Sequence, residues 1–148
     1  MRRVRYFAYG SNLDPVRMRR RCPTAALIGP ALVPGRRLAF GGHSRAWGGP
    51  VATLVRDRTA RVSGLLYELD RADLAELDRF EGHPGFYRRE RLRIVDADGR
   101  TGLAHVYILP VLGEAAPAPG YLWVLWEAYL RLGFNDDPLV AAAEGGAG

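Results

Sequence analysis

Hydrophobic residues alternate with polar ones over several short segments of the chain, a pattern typical of β-strands. It predicts seven strands, at residues 3–9, 26–29, 37–40, 51–56, 60–69, 88–96 and 100–109. The residues DADG at 96–99 predict a hairpin turn between the last two strands. Many strands with only a few helices between them predict an α+β fold.

Apolar residues three and four positions apart predict two helices among these strands. One covers residues 71–80, where Asp70 opens the helix and Gly82 ends it. The other covers residues 121–132 and ends at Gly133. The stripe of this second helix that is predicted to face the core consists of Leu122, Leu125, Trp126, Tyr129 and Leu132.

A tight loop follows the first strand, where residues 6–13 read YFAYGSNL. The next two residues, DP, are an N-cap and a favoured first helical residue, so a helix is predicted to start there. Gly10 has no Cβ and lets a ligand approach the backbone. The N–H groups of Ser11, Asn12 and Leu13 would then lie near a helix N-terminus, which favours a carboxylate or an oxyanion. An ordinary strand-to-helix turn explains these residues equally well.

The composition indicates a globular chain of one domain. Its 148 residues can bury a sizeable core, and 48% of them are hydrophobic and 25% charged. No apolar run reaches the roughly 20 residues that cross a bilayer, and the first residues lack a signal-peptide stretch. We therefore expect a cytoplasmic location and no membrane partner. The single cysteine, Cys22, excludes an internal disulfide. The arginines before it could lower its pKa, although a half-buried inert thiol is the simpler expectation.

The chain carries a net charge of +5, and all of its basic residues are arginines. This balance allows a nucleic-acid partner, but the arginines are spread over the whole chain. The densest cluster, residues 17–21, falls on one short predicted helix, where a solvated face is the simpler interpretation. A small acidic substrate would use the same positive field, so we expect no nucleic acid as partner.

Glu81 is the strongest candidate for a catalytic carboxylate. Leu74, Leu77 and Glu81 fall on one narrow stripe of the predicted helix, so the carboxylate should point toward the interior. Burial and the C-terminal end of the helix dipole both raise the pKa of a carboxyl group toward neutrality. A group that acts first as a base and then as an acid needs such a pKa. Asp78 lies on the same stripe and is the rival candidate, unless it forms an ion pair with an arginine.

Four segments together resemble the gamma-glutamylcyclotransferase family. The YGSNL loop follows an N-terminal strand, and residues 75–89 read AELDRFEGHPGFYRR, a block with the pattern LDxxEG…PGxYR. WGGPVAT at 47–53 and PAPGY at 117–121 also resemble segments of that family. The four segments follow one another in the same order as in the family. The resemblance reaches from residue 6 to about residue 130. Residues 1–134 are therefore expected to form a single domain, and residues 135–148 a C-terminal tail that can be flexible.

The resemblance implies a closed, largely antiparallel β-barrel with flanking helices. It also implies an enzyme that cyclises a γ-glutamyl-amino acid to 5-oxoproline and releases the amine. The family's catalytic acid is the Glu of the EG pair, which is Glu81 here. The backbone from Tyr9 to Leu13 would hold the glutamyl end, and Tyr87 and Tyr107 would lie near the pocket. Ordinary barrel packing with a satisfied hydroxyl accounts equally well for those two tyrosines.

No cofactor or metal is expected. His43, His83 and His105 stand far apart and show no ligand spacing. The glycine pairs at 41–42 and 48–49 are not a phosphate-binding loop, because the chain has no lysine to complete one. Arg45 and Trp47 could border the pocket and meet a substrate carboxylate, although an exposed hairpin loop is the simpler interpretation.

Several alternatives stay open at this point. The enzyme could act on γ-glutamylamines, or remove a γ-glutamyl protecting group from a metabolite. A relative of the same fold could bind γ-glutamyl ligands or a protein without turnover, although the retained glutamate disfavours this. A basic nucleic-acid-binding module is the third alternative. The expected partner is a small γ-glutamyl molecule, and the chain is expected to be a monomer or a homodimer.

Overall fold

The computed structural model describes residues 3–110 and 113–145 of the chain. Within these residues five strands close into a barrel in the order β1-β3-β2-β4-β5. The strands are β1 (Arg3–Ala8), β2 (Ala26–Ser44), β3 (Gly49–Asp70), β4 (Arg88–Asp96) and β5 (Thr101–Ile108). Neighbouring strands are antiparallel except β1 and β5, which run parallel and pair Tyr6 with His105. The predicted α+β class and the largely antiparallel barrel are confirmed.

Two long antiparallel strands replace four of the predicted short ones. β2 contains both segments predicted between residues 26 and 40, and β3 contains both predicted between residues 51 and 69. The register between them shifts at three places, and at one of these Gly35, with φ of +78°, stands opposite residues 57–60. The residues between the predicted short strands therefore belong to β2 and β3, and the irregularity at Gly35 bends the strands without ending them.

Four α-helices of the described residues pack outside the barrel, and a short 3₁₀ helix (Ser11–Leu13) follows β1. They are α1 (Pro15–Arg21), α2 (Arg71–Glu81), α3 (Pro119–Leu132) and α4 (Asp137–Ala143). The predicted start of α1 is confirmed, since the Asp14 side chain accepts a hydrogen bond from the Val16 N–H. The predicted ends of α2 and α3 are confirmed too, because Gly82 and Gly133 both adopt φ of 70°.

Part of the expected C-terminal tail is helical. Helix α4 buries Leu139 and Ala142 and contacts β2. These two side chains are three positions apart, which places them on one face of the helix. The packed structure therefore extends beyond residue 134, to the end of α4, while residues 146–148 lie outside the described part of the chain.

The core fills the barrel and the space between barrel and helices. Its largest fully buried side chains include Phe7, Phe40, Tyr67, Leu77 and Leu125. The predicted inward stripe of α3 is confirmed, since its members are buried or packed against the core. Among the described residues, no helix is long and apolar enough to cross a membrane.

Cys22 lies at the end of α1 and is fully buried, where its thiol contacts the backbone carbonyl of Asp73. Burial raises the pKa of the thiol to about 12, and the positive charge of Arg21 opposes this only in part. The arginines before Cys22 therefore do not activate it, and the thiol is more deeply buried than the sequence suggested.

Candidate functional site

A pocket at one end of the barrel collects most of the predicted site residues. Its empty space measures about 690 Å³, part of which is open to solvent. This barrel-end pocket is lined by Tyr6, Tyr9, Gly10, Ser11, Asn12, Arg17, Arg21, Ser44, Ala46, Trp47, Val51, Phe80, Glu81, Phe86, Tyr87, Tyr107 and Tyr121. Because β1 and β5 are parallel, their carboxyl ends lie at the same edge, and the Tyr9 hydroxyl donates a hydrogen bond to the Tyr107 carbonyl.

The loop after β1 forms one wall of the pocket through Gly10, Ser11 and Asn12. The N–H of Leu13 donates to the Gly10 carbonyl at 3.0 Å, which closes the 3₁₀ turn. The N–H groups of Ser11 and Asn12 precede this bond and have no acceptor within the turn. Leu13 differs from the expectation: its side chain is fully buried, it does not line the pocket, and its N–H is already used.

The side chain of Asn12 joins three parts of the site. It is almost completely buried, and its Nδ2 donates to the Tyr6 hydroxyl at 3.0 Å and, at 3.4 Å, to Glu81 Oε1. Its Oδ1 accepts a long hydrogen bond of 3.5 Å from Arg21 Nη1. The sequence pointed only to the backbone of Asn12. Its side chain, however, ties the loop to the carboxylate of α2 and to the guanidinium of α1.

Glu81 is the last residue of α2 and its carboxylate faces the pocket. Leu77, one turn earlier, is fully buried, and only 15% of the Glu81 side chain is exposed. Burial raises the pKa of Glu81 to about 7, although the positive charges of Arg21 and Arg17 lower it. The Nη1 of Arg21 lies 3.6 Å from Glu81 Oε1. A carboxyl group with this pKa can accept and return a proton near neutral pH.

Asp78 has a different environment, although it shares the stripe of Glu81. It does not line the pocket. Its carboxylate accepts hydrogen bonds from Arg89 Nε at 2.9 Å and Nη2 at 3.3 Å, and from the Tyr107 hydroxyl at 2.6 Å. This is the ion pair that the sequence offered as the structural explanation of Asp78.

Tyr87 and Tyr107 both line the pocket, but their hydroxyls are engaged elsewhere. The Tyr87 hydroxyl donates to the Ala52 carbonyl at 2.7 Å, and that of Tyr107 to Asp78. Burial raises the pKa of both phenols, and the Asp78 carboxylate raises that of Tyr107 further. Both side chains are therefore neutral at physiological pH and form walls of the pocket with their rings.

Two arginines of α1 belong to the site, and sequence reasoning missed them. Arg17 and Arg21 lie four residues apart on one face of the helix and line the pocket, while Arg19 and Arg20 between them are exposed. The cluster 17–21 is therefore only in part the solvated face that was expected. The i, i+4 spacing directly after the YGSNL loop was the signal that could have identified this pair.

Aromatic rings hold these two guanidinium groups. Arg17 lies 5.1 Å from the centre of the Trp47 ring, and Arg21 lies 4.7 Å from that of Phe80. Trp47 thus borders the pocket, whereas Arg45 is exposed and does not. Within the described ranges, no group of three His, Cys, Asp or Glu residues could hold a metal ion. The pocket therefore combines one carboxyl group, two guanidinium groups, the loop after β1 and aromatic walls.

Comparisons with known proteins place this chain in a family. A family model described as "Gamma-glutamyl cyclotransferase, AIG2-like" matches residues 6–125. The chain is 31% identical over 121 residues to gamma-glutamylcyclotransferase of Homo sapiens, a match that covers 78% of this chain and 64% of that protein. It is 29% identical over 125 residues to the protein of the same name from Mus musculus, covering 81% and 66%. The matched part thus spans slightly less than two thirds of these relatives. A solved structure described as a gamma-glutamyl cyclotransferase superposes with a TM-score of 0.82 at 26% identity, covering 99% of this chain and 88% of that one.

Proposed function

We propose that this chain, which belongs to the gamma-glutamyl cyclotransferase, AIG2-like family, cyclises a γ-glutamyl compound to 5-oxoproline and releases the amine. The simplest such substrate is a γ-glutamyl-amino acid. One observation carries the proposal. The carboxyl group of Glu81, with a pKa of about 7, lies in the same pocket as the loop after β1.

In the proposed reaction the substrate attacks itself. Its α-amino nitrogen forms a bond with its own γ-carbonyl carbon, and the bond from that carbon to the amide nitrogen breaks. The attacking ammonium loses two protons as it becomes the lactam N–H, and the leaving nitrogen takes up two, so the products are 5-oxoproline and the amine in its ammonium form. No water is consumed and no covalent enzyme intermediate forms. The protein has to fold the substrate, move protons from the attacking to the leaving nitrogen and stabilise an oxyanion.

Glu81 is the proposed proton carrier. A group with pKa near 7 is a mixture of carboxylate and carboxylic acid at neutral pH, so neither proton transfer is strongly uphill. Asn12 donates to Glu81 Oε1, and this bond would orient the carboxylate. Arg21 beside it stabilises the ionised form, which is the form that accepts a proton from the substrate.

The loop after β1 is the proposed binding element for the glutamyl part. The N–H groups of Ser11 and Asn12 would donate to its carboxylate or to the oxyanion that forms at the γ-carbonyl. Gly10 keeps the backbone accessible, and Tyr9 forms part of the wall. Tyr87 and Tyr107 would enclose the substrate with their rings and keep water away from it.

The test is to incubate the purified protein with a panel of γ-glutamyl-amino acids, γ-glutamylamines and amide controls without the γ-glutamyl group. We expect 5-oxoproline, detected by mass spectrometry, from γ-glutamyl compounds only, and the same rate after exhaustive chelation. Turnover that chelation abolished and zinc restored would contradict the cofactor-free mechanism. Binding of γ-glutamyl ligands without any product would instead indicate a non-catalytic relative. The proposed cytoplasmic location would be tested by cell fractionation.

A further inference from the structure

Arg17 carries a positive charge that nothing in the described part of the chain neutralises by direct contact. Its Nε is buried and has no hydrogen-bond partner among the described residues. The guanidinium lies against Trp47 and lines the barrel-end pocket. Arg21, by contrast, is engaged with Glu81 and Asn12. A buried donor without a partner costs folding free energy, so its presence in a pocket indicates an acceptor that arrives with the ligand.

The charges of the pocket indicate what that acceptor is. Its ionisable groups near neutral pH are Arg17, Arg21 and Glu81, so with Glu81 ionised the lining carries one net positive charge. A γ-glutamylamine has one carboxylate and one ammonium group and is neutral. A γ-glutamyl-amino acid has a second carboxylate, on the departing amino acid, and carries one net negative charge. Only the second class neutralises the pocket.

We propose that Arg17 binds the carboxylate of the departing amino acid and thereby makes the enzyme prefer γ-glutamyl-amino acids over γ-glutamylamines. This inference rests on the function proposed above. Glu81 must contact the leaving nitrogen in order to protonate it, and the carboxylate of an α-amino acid stands two bonds beyond that nitrogen. Arg21 contacts Glu81. Arg17 lies one helical turn from Arg21, so the Cβ atoms of the two arginines are about 5–6 Å apart.

The arrangement around Arg17 suits a carboxylate. A guanidinium group can donate two parallel hydrogen bonds to one carboxylate, and such pairs are stronger than neutral hydrogen bonds. Trp47 covers one face of the guanidinium and leaves its donor edges to the ligand. Burial lowers the pKa of Arg17 from its ordinary high value, because the guanidinium has lost part of its contact with water. A bound carboxylate would replace that water.

The decisive experiment compares two substrates that differ only in this carboxylate, γ-glutamylalanine and γ-glutamylethylamine. For Arg17→Met we expect the KM of γ-glutamylalanine to rise about 10- to 100-fold, with a much smaller change in kcat and in the KM of γ-glutamylethylamine. Arg17→Lys should recover part of the loss. The matched control is Arg20→Met, an exposed arginine of the same helix, which should behave like the unchanged protein.

Binding of glutarylalanine and glutarylethylamide, which lack the attacking amino group, separates this inference from the proposed function. Isothermal titration calorimetry should show that Arg17→Met weakens the binding of glutarylalanine at least tenfold and the binding of glutarylethylamide far less. If the unchanged protein turned over neither substrate, the proposed function would fail, and calorimetry alone would decide the role of Arg17. Equal losses for both members of a pair would assign Arg17 to the glutamyl carboxylate, and no loss would leave it without a binding role. Either result overturns the inference.

Discussion

Asp78 and Glu81 lie three residues apart on α2, yet their carboxylates have opposite environments. Asp78 is held by Arg89 at 2.9 Å and by the hydroxyl of Tyr107. Glu81 faces the barrel-end pocket, with Arg21 at 3.6 Å and a single long hydrogen bond from Asn12. The same helix face therefore carries one carboxylate committed to the structure and one that is available for chemistry.

Replacement of Glu81 by Gln tests the proposed proton carrier. Gln keeps the size and hydrogen-bonding capacity of Glu but cannot accept and return a proton. We expect kcat to fall by roughly 100-fold or more, the usual scale of general acid–base catalysis, while ligand affinity changes far less. Steady-state kinetics with a γ-glutamyl-amino acid and calorimetry with a glutaryl analogue measure the two effects.

Asp78→Asn is the matched control for that variant. It should keep much more activity than Glu81→Gln, and it should lose about 1–3 kcal/mol of stability because Arg89 loses a charged partner. Chemical denaturation measures this loss. Near-normal turnover by Glu81→Gln would exclude Glu81 as the proton carrier. An inactive but folded Asp78→Asn protein would move that role to Asp78.

The raised pKa of Glu81 also predicts how stability depends on pH. The carboxyl group titrates near pH 4.5 when unfolded and near pH 7 when folded. Between these values the folded state binds a proton that the unfolded state has released, so stability falls as pH rises. The contribution of Glu81 is complete below about pH 4.5 and lost above about pH 7.

Glu81→Gln lacks this titration. Relative to the unchanged protein, the variant should gain about 3 kcal/mol in unfolding free energy between pH 4 and pH 8. Urea denaturation of both proteins at the two pH values measures the gain, and contributions from other groups cancel in the difference. Parallel stability profiles for the two proteins would mean that burial does not raise the pKa of Glu81.

Arg21→Gln should shift the pH dependence of catalysis. The positive charge of Arg21 lowers the pKa of Glu81, so removal of that charge should raise the pKa of Glu81. The acidic limb of kcat/KM reports the base of the free enzyme and should move to higher pH by the same amount. Arg20→Gln is the control, because Arg20 is exposed on the same helix. An unchanged limb in Arg21→Gln would show that another group controls it.

Gly10 is restricted by a contact with Tyr121. Its φ is −116°, but a Cβ added there would lie 2.7 Å from the Tyr121 hydroxyl oxygen. We therefore expect Gly10→Val to impair substrate binding more than folding, because the loop or the tyrosine must move within the pocket. Substrate affinity and the thermal midpoint measure the two effects.

The origin of the Gly10 effect can be tested with Ala, the smallest side chain. Gly10→Ala should lower the thermal midpoint, and it should do so less in a Tyr121→Phe background, where the hydroxyl is absent. Equal losses in both backgrounds would mean that the contact with Tyr121 is not the cause. Normal substrate binding by Gly10→Val would reduce the loop to an ordinary turn.

Local patterns in the sequence were sufficient for most elements of this fold, although they divided β2 and β3 and missed α4. The caps at Asp14, Gly82 and Gly133 depend on residues next to one another in the chain, so the helix ends could be predicted. Helix geometry alone places Leu77 and Glu81 on the same side of α2. The closed barrel followed only from the family resemblance, because strand pairing joins residues that are far apart in sequence.

The environment of each site residue was decided by the tertiary structure. The sequence placed Asp78 and Glu81 on one stripe, and only the positions of Arg89 on β4 and Tyr107 on β5 distinguish them. Arg17 appeared to lie on a solvated helix face until the turn between β2 and β3 placed Trp47 against it. A helical period tells which side of a helix a residue occupies. Burial and charge partners depend on what the rest of the chain brings to that side, and this determines the pKa and the chemistry.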